Sequence, residues 1–281
     1  MKQVARQARA EGRLSGFVPT MGALHAGHMS LVRTAMKECR PVIASIFVNP
    51  TQFGPNEDFQ KYPRTFAADS KQLEEAGVDY LFAPEAAEIY PREFRTWVNV
   101  EGLSDRLDGR SRPGHFRGVT TVVLKLLEIV QPQKAYFGRK DAQQARLIRQ
   151  MARDLHLDAE IVVCPIVREP DGLAMSSRNA YLNPNERRAA TVLYRALDGA
   201  RRAIERGERD ALRLVAAMRE TMRGESSVET EYVELVGAES LEPMALLRGE
   251  CLALLAARVG ATRLIDNLLI EESDAGFRTT L

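Results

Sequence analysis

Two histidines and two glycines lie close together near the start of the sequence, in the segment FVPTMGALHAGH at residues 17–28. His25 and His28 are three residues apart, so on a helix they share one face. Gly22 and Gly27 allow a ligand to approach the backbone closely, and the free N–H groups at the start of a helix bind phosphate. Two imidazoles that donate to a triphosphate would stabilise the charge that develops at its α-phosphorus.

A turn with two incidental histidines is the simpler interpretation of this segment. It is disfavoured because the sequence has four histidines in all, and half of them fall within four residues, next to two glycines. A zinc site is disfavoured as well, because no cysteine or further histidine lies nearby to complete the ligand set. We therefore interpret the segment as a phosphate-binding site.

Two neutral amides follow the next strong apolar run. Residues 42–48, VIASIFV, are typical of a strand that is buried on both faces of a parallel sheet. Asn49 and Gln52 come after this run, and we expect them to project into the same crevice as His28. Amide groups hold a hydroxy acid and an amine without fixing a charge. The alternative is ordinary turn chemistry around Pro50.

A basic segment, GRKD at residues 138–141, also lies between a predicted strand and a predicted helix. Lys140 suits a phosphate as a point charge, and Asp141 could cap the helix or bind a ribose hydroxyl. Gln144 returns to the crevice on the first helical turn, whereas Gln143 points elsewhere. From the residues alone, Lys140 and Asp141 fit a solvated helix start equally well.

Two polar loops complete the set of candidates. Residues 175–178, MSSR, offer two hydroxyls and a guanidinium, and such a loop could close over a triphosphate and exclude water. An ordinary surface linker is the alternative for this loop. Residues 112–118 contain Arg112, His115 and Arg117, and they fit an anion-binding lid and a structural turn equally well.

Alternating strands and helices must position these residues. Apolar runs predict strands at 16–18, 42–48, 78–82, 135–137 and 159–164. Between them, apolar residues at helical spacing predict helices, including one at about 119–130. This alternation is typical of right-handed βαβ units in a doubly wound, Rossmann-like parallel sheet.

The pattern changes after Pro165. Two predicted helices, at 184–206 and 210–223, are followed by predicted strands at 231–236, 250–257 and 262–270. This order favours a second, smaller α+β domain. We place the domains at residues 1–166 and 167–281, with the second domain closing over the site.

Composition excludes several classes of protein. The 281 residues carry 39 Lys and Arg against 38 Asp and Glu, a net charge of +1 that argues against a dedicated nucleic-acid binder. No apolar run has the length that a membrane span needs. Three cysteines far apart in sequence give no disulfide framework. We expect a reduced, cytoplasmic protein with no nucleic-acid or membrane partner.

The His-x-Gly-His pattern after a first strand is similar to that of the class I nucleotidyl-transferase superfamily. Five ordered segments resemble the pantothenate synthetase (pantoate–β-alanine ligase) family more specifically. They are PTMGALHAGH (19–28), FVNPTQF (47–53), RPGHFRGV (112–119), YFGRKDAQQ (136–144) and VREPDGLAMSSRN (167–179). The resemblance covers nearly the whole chain.

This resemblance implies a two-step ligase. Pantoate attacks the α-phosphate of ATP to give pantoyl adenylate and pyrophosphate, and the amine of β-alanine then displaces AMP. The resemblance also implies Mg²⁺ bound with ATP, a cytoplasmic location and a homodimer. It places the metal contacts at Asp69 and Gln72, and pantoate at Gln52 and Gln144. Asn49 stays a candidate substrate contact from its position after the buried strand.

Catalytic roles are implied for His25, His28, Lys140 and Arg178. The implied ATP contacts are Met21, Gly22, Ala23, Leu24, His25, Ala26, Gly27, His28, Gly138, Arg139, Lys140, Asp141, Val167, Met175, Ser176, Ser177 and Arg178.

Two departures from the family pattern and two rival functions complete the interpretation. The family has about ten more residues before this start, and Asp108 stands where it more often has Glu. One rival is another adenylylating enzyme, such as a nucleotidyl transferase that keeps the nucleotide on its product. The other is a module that binds ATP without turnover.

Overall fold

The computed structural model describes residues 1–55 and 57–281. The chain divides into two compact units. The first contains residues 1–139 and 144–164, and the second contains residues 140–143 and 165–281. The sequence-based boundary at residue 166 lies close to this division, but the short segment 140–143 was not expected to group with the C-terminal residues.

The first unit is built on a five-stranded parallel sheet in the order β3-β2-β1-β4-β5. Its strands are β1 (Gly16–Thr20), β2 (Val42–Ile46), β3 (Tyr80–Phe82), β4 (Lys134–Gly138) and β5 (Glu160–Cys164). Phe17, Val18 and Ile43 are fully buried, because helices cover both faces of the central strands. The predicted doubly wound α/β sheet is confirmed.

Among the described residues from 1 to 164 there are seven α-helices. They are α1 (Lys2–Ala10), α2 (Ala26–Glu38), α3 (Phe66–Glu75), α4 (Ala86–Ile89), α5 (Leu107–Ser111), α6 (His115–Val130) and α7 (Ala142–Asp154). Strand order reverses between β1 and β4, because the chain winds outward through β2 and β3 before it returns to β4. In open α/β sheets, ligands bind at such a reversal, outside the carboxyl ends of the strands.

The second unit packs helices on an antiparallel sheet in the order β6-β7-β8-β9. Its elements are α8 (Pro184–Ala189), α9 (Val192–Glu205), α10 (Ala211–Arg223), β6 (Val228–Gly237), β7 (Glu250–Val259), β8 (Thr262–Ser273) and β9 (Gly276–Thr280). Leu193 and Leu197 of α9 share a core with Cys251, Ala253 and Leu255 of β7. The smaller α+β unit is confirmed.

Strand β9 was missed by the sequence analysis. Residues 276–280, GFRTT, contain a single large apolar side chain, so they carry no clear alternation. Their pairing with β8 depends on the reversal of the chain after Ser273.

In the part of the chain that the structure describes, residues 1–55 and 57–281, no helix is both long enough and apolar enough to cross a bilayer.

Candidate functional site

The loop after β1 carries the predicted phosphate-binding segment. It turns sharply at Gly22 and Ala23, whose φ angles are +80° and +49°. A Cβ on Gly22 would lie 3.0 Å from the Asp69 carboxylate and 3.1 Å from Ile46, and positive φ strains residues with a side chain. Glycine at position 22 therefore allows the loop to pack closely against its surroundings.

A buried carboxylate holds this loop. Asp69 of α3 is 1% exposed and accepts hydrogen bonds from the N–H groups of Ala23 and Leu24, each at 2.9 Å. Thr65 donates to the same carboxylate at 3.1 Å. Hydrogen bonds to an ionised acceptor are the stronger ones, so Asp69 anchors the loop that leads into α2.

His25 and His28 cap α2 reciprocally. Gly27 N–H donates to His25 Nδ1 at 3.2 Å, and His25 N–H donates to His28 Nδ1 at 3.4 Å. The two ring centroids are 4.1 Å apart. Because each Nδ1 accepts a hydrogen bond, the proton of each neutral ring lies on Nε2. The backbone thus fixes the tautomer that makes both Nε2 atoms donors.

Asn49 and Gln52, the two amides expected beside His28, contact each other. Asn49 is 1% exposed. Its amide donates to the Gly118 carbonyl at 3.2 Å and to Gln52 Oε1 at 3.1 Å, and its oxygen accepts from Thr51 N–H. A side chain that is buried to this extent is not accessible for direct contact with a substrate. Asn49 instead orients Gln52, whose Nε2 lies 3.2 Å from Met21 Sδ.

A second network fixes the backbone of Gln52. His115 Nδ1 donates to the Gln52 carbonyl at 2.8 Å, and Arg112 donates to His115 Nε2 at 2.9 Å. Arg112 also forms a forked ion pair with Glu57, at 2.6 Å for both bonds. Burial and the Arg112 charge lower the pKa of His115 to about 4, so its ring is neutral near pH 7. These contacts favour the structural turn over the anion-binding lid.

The basic segment begins at the end of β4. Gly138 ends the strand, residues 139–141 form one 3-10 turn, and α7 follows. Lys140 Nζ lies 3.6 Å from Asp141 Oδ1. Gln143 is 3% exposed whereas Gln144 is partly exposed, and the binding role of Gln144 stays a prediction.

The serine–arginine segment follows a small hairpin in the second unit. Met175 N–H donates to the Val167 carbonyl at 2.9 Å, so these two predicted ATP contacts are adjacent. Ser176 then caps the 3-10 helix Ser177–Tyr181 by accepting from Arg178 N–H at 3.3 Å. The segment is thus an ordered helix start, and the simple surface linker is disfavoured.

The predicted site residues therefore form two groups, each within one unit. The first unit holds residues 21–28, Asn49, Gln52, Asp69, Gln72, Gly138, Arg139 and Gln144; the second holds Lys140, Asp141, Val167 and residues 175–178. In the first unit the loop 21–28 directly contacts Gln52 and Asp69. The anchoring role of Asp69, and the network behind Gln52, were missed because their partners are distant in sequence.

Asp69 does not fit a magnesium ligand. Both of its oxygens accept hydrogen bonds from within the protein, and its 1% exposure leaves no face open to an ion that keeps several waters. Gln72 therefore lacks the carboxylate, Asp69, that was predicted to bind Mg²⁺ together with it. Among the described residues, no three His, Cys, Asp or Glu side chains are grouped so as to hold a metal.

We expect Asp69→Asn to weaken both folding and turnover. The Asn side chain has one oxygen, which accepts, and one NH2 group, which only donates, so it cannot accept at both positions of the carboxylate. One buried N–H group therefore loses its partner, at a cost of about 1–3 kcal/mol. Urea unfolding and steady-state turnover measure the two effects. Asp79→Asn is the control, because Asp79 also accepts from a backbone N–H, that of Val42, at the opposite end of β2. It should leave turnover unchanged.

Added Mg²⁺ distinguishes this role of Asp69 from that of a metal ligand. A ligand variant would recover activity as the Mg²⁺ concentration rises, whereas loss of the anchor gives a defect that Mg²⁺ does not relieve. Recovery at high Mg²⁺ would contradict the anchoring role.

Comparison with known protein families gives one match over most of the chain. A family model described as pantoate-beta-alanine ligase matches residues 1–269. The pantothenate synthetase of Acidobacterium capsulatum is 59% identical over 266 residues, which cover 95% of this chain and 89% of that relative. The pantothenate synthetase of Caldicellulosiruptor saccharolyticus is 54% identical over 271 residues, which cover 96% of each chain.

Solved structures give the same match. The pantothenate synthetase of Thermus thermophilus superposes with a TM-score of 0.89 at 46% identity, covering 94% of this chain and 96% of that one. The pantoate-beta-alanine ligase of Francisella tularensis, solved in complex with beta-gamma ATP and beta-alanine, gives a TM-score of 0.74 at 38% identity. That match covers 95% of this chain and 94% of the other.

Proposed function

The chain belongs to the pantoate–β-alanine ligase family, and we propose that it joins pantoate to β-alanine at the expense of ATP. A carboxylate oxygen of pantoate bonds to the α-phosphorus, and the bond to the pyrophosphate oxygen breaks. The β-alanine amine then bonds to the acyl carbon, loses a proton and releases AMP. One observation carries the proposal: the reciprocal His25–His28 cap fixes two Nε2 donors on the loop that follows β1.

Electrostatic stabilisation supplies most of the rate in this proposal. Nε2 of His25 and His28 donates to the phosphates and stabilises the five-coordinate phosphorus. Lys140 and Arg178, with Ser176 and Ser177, bind the leaving pyrophosphate. No covalent intermediate on the protein is needed, because alignment of the two reactants and stabilisation of charge suffice.

ATP contacts extend beyond these charged groups. The backbone of residues 21–28 and of 138–141, together with Val167 and Met175, completes the proposed nucleotide site. Asp141 holds a ribose hydroxyl or caps α7. The glycines of these segments let the phosphates approach the main chain.

Gln52 and Gln144 bind pantoate in this proposal. The oxygen of the Gln52 amide already accepts from Asn49, so Gln52 offers its N–H groups to the substrate. Those donors suit the carboxylate and hydroxyl oxygens of a hydroxy acid. Gln52 also reaches β-alanine in the second step.

Three further proposals follow from the family. Mg²⁺ enters with ATP and neutralises part of the phosphate charge. The protein acts in the cytoplasm. It forms a homodimer, which light scattering during gel filtration would reveal as twice the mass of the chain.

The products distinguish this ligase from the rival functions. The purified protein is incubated with ATP, Mg²⁺ and pantoate, with and without β-alanine, while pyrophosphate, AMP and pantothenate are followed. We expect AMP and pantothenate in equal amounts only when β-alanine is present. ADP in place of AMP would contradict attack at the α-phosphorus. A nucleotide that stays on the product would indicate a nucleotidyl transferase, and ATP binding without turnover would indicate a binding module.

A further inference from the structure

Two consecutive polar residues interrupt the apolar run of β8, one on each face of the strand. Asp266 and Asn267 lie in the run LIDNLLI at residues 264–270, yet they are only 2% and 1% exposed. A buried charge and a buried amide are costly unless they are paired. Their partners therefore indicate what this pair does in the second unit.

Asp266 holds the hairpin that precedes the serine–arginine segment. Arg168 donates to the two carboxylate oxygens of Asp266 at 2.7 and 3.0 Å. The same guanidinium donates to the Gly172 carbonyl at 3.0 Å and lies over the ring of Tyr194 at 5.2 Å. Arg168 is paired with Ala174 across the hairpin, directly before Met175. The bidentate Arg168–Asp266 ion pair thus connects the hairpin to β8.

Asn267 holds Lys140, which belongs to the same unit. Its side-chain amide donates to the Lys140 carbonyl at 3.0 Å, and its own N–H donates to Asp266 Oδ1 at 2.7 Å. Two adjacent residues of β8 therefore hold Lys140 and the hairpin in place. Lys140 is 127 residues from Asn267 in sequence, and Arg168 is 98 residues from Asp266.

We propose that Asp266 and Asn267 are positioning residues that fix the Lys140 backbone relative to residues 167–178, and so set the spacing of the two cationic segments that bind the pyrophosphate portion of ATP. This inference rests on the proposed function of Lys140 and Arg178. In this proposal Asp266 and Asn267 act through the segments that they hold.

Stability alone does not account for the pair. Replacement of a buried ion pair by apolar residues of similar volume is often neutral or stabilising. A gain in folding stability is therefore a weak explanation for a buried ion pair. A forked Arg–carboxylate pair does, however, fix orientation as well as distance. That property matters where two separate segments must contact one triphosphate.

Asn267→Ala tests the link to Lys140 while leaving the Arg168–Asp266 fork in place. We expect its Kd for ATP, measured by calorimetry, to rise about tenfold, as loss of one buried hydrogen bond allows. KM for ATP should rise in parallel, and KM for pantoate should stay within about twofold of wild type if Gln52 is untouched. Asp266→Asn should raise Kd for ATP at least as much, because it weakens the fork that holds the hairpin.

Asp198→Asn is the matched control. Asp198 is a largely buried carboxylate in the same unit, and like Asp266 it pairs with arginine, in its case Arg201 and Arg202. Its partners lie on its own helix, α9, and do not belong to the proposed ATP site. The control should lower the melting temperature while leaving Kd for ATP unchanged.

The outcomes separate this inference from the proposed function. If the β8 variants lower the melting temperature like the control and leave Kd for ATP at the wild-type value, the positioning role is wrong. If Asp266→Asn does not fold, Asn267→Ala decides the question alone. If wild type binds ATP but makes no AMP, the proposed function fails, while the calorimetric comparison still tests the positioning role.

Discussion

His28→Asn is expected to lower kcat by about a hundredfold or more, as removal of one transition-state donor does in other enzymes. The asparagine oxygen occupies nearly the place of Nδ1, so it still accepts from His25 N–H and preserves the cap of α2. It has no atom at the position of Nε2. The variant therefore removes the proposed phosphate donor and keeps the fold.

His28→Gln is the complementary variant. Its longer side chain places an N–H group near the position of Nε2, and it gives up the contact that Nδ1 makes. We expect it to retain more turnover than His28→Asn although it caps the helix less well. Single-turnover rates of adenylate formation and the melting temperatures of both variants measure these effects. Near-wild-type turnover in His28→Asn would exclude His28 as a phosphate donor.

Gly118→Ala is expected to disrupt the turn that carries Gln52, the residue proposed to bind pantoate. Gly118 is buried in α6, and a Cβ there would lie 2.4 Å from the Thr51 carbonyl oxygen and 2.8 Å from Gln52 N. The obstructing atoms belong to the backbone, so the helix and the Pro50–Gln52 turn must separate. Overpacking of this kind costs about 1–3 kcal/mol of unfolding free energy. If Gln52 binds pantoate as proposed, KM for pantoate should rise as well.

Gly199→Ala is the control for this substitution. Gly199 lies in the middle of α9 with its helix face exposed, and a Cβ there would meet no atom within 4 Å. Alanine is favoured over glycine in a helix by about 1 kcal/mol, so this variant should be slightly more stable than wild type. Urea unfolding and the two Michaelis constants give the comparison. A Gly118→Ala variant as stable and active as wild type would contradict the tight packing of α6 on the turn.

Much of the fold was predictable because local patterns dictate it. The continuous apolar run before Asn49 predicts a strand buried on both faces, and β2 is such a strand. The alternation of strands and helices predicts the doubly wound sheet. The start of α6 was less predictable, since residues 115–118 contain two glycine-flanked basic groups and resemble a loop.

The candidate residues were identified by residue type and spacing, and their roles stay predictions; the contacts that support them could not be predicted. His25 and His28 stand out by their spacing and by their place after a strand. In contrast, Asn49 is of a residue type that often binds ligands. Only its buried contacts, with the Gly118 carbonyl and with Gln52, show that it orients Gln52. Asp69 and Asp266 could be noticed as carboxylates, but their partners are set by tertiary structure.

An Asp–Asn pair inside an apolar strand is the one further sequence signal that could have been used. Charged residues are almost never fully buried unless they are paired, so Asp266 in β8 predicts a buried cation. The sequence does not identify that cation as Arg168, because many arginines are available and the pairing spans 98 residues.

The amide chain from the backbone through Asn49 to Gln52 has a thermodynamic consequence. Two main-chain groups, the Gly118 carbonyl and the Thr51 N–H, decide which way the Asn49 amide faces, and Asn49 decides it for Gln52. The rotamer entropy of Gln52 is thus lost during folding and is not lost again when a ligand arrives. In the proposed site, preorganisation of this kind favours ligands that present an acceptor to Gln52. An analogue that presents a donor there would force two amides to turn together, and discrimination between such ligands is therefore built into the folded apoprotein.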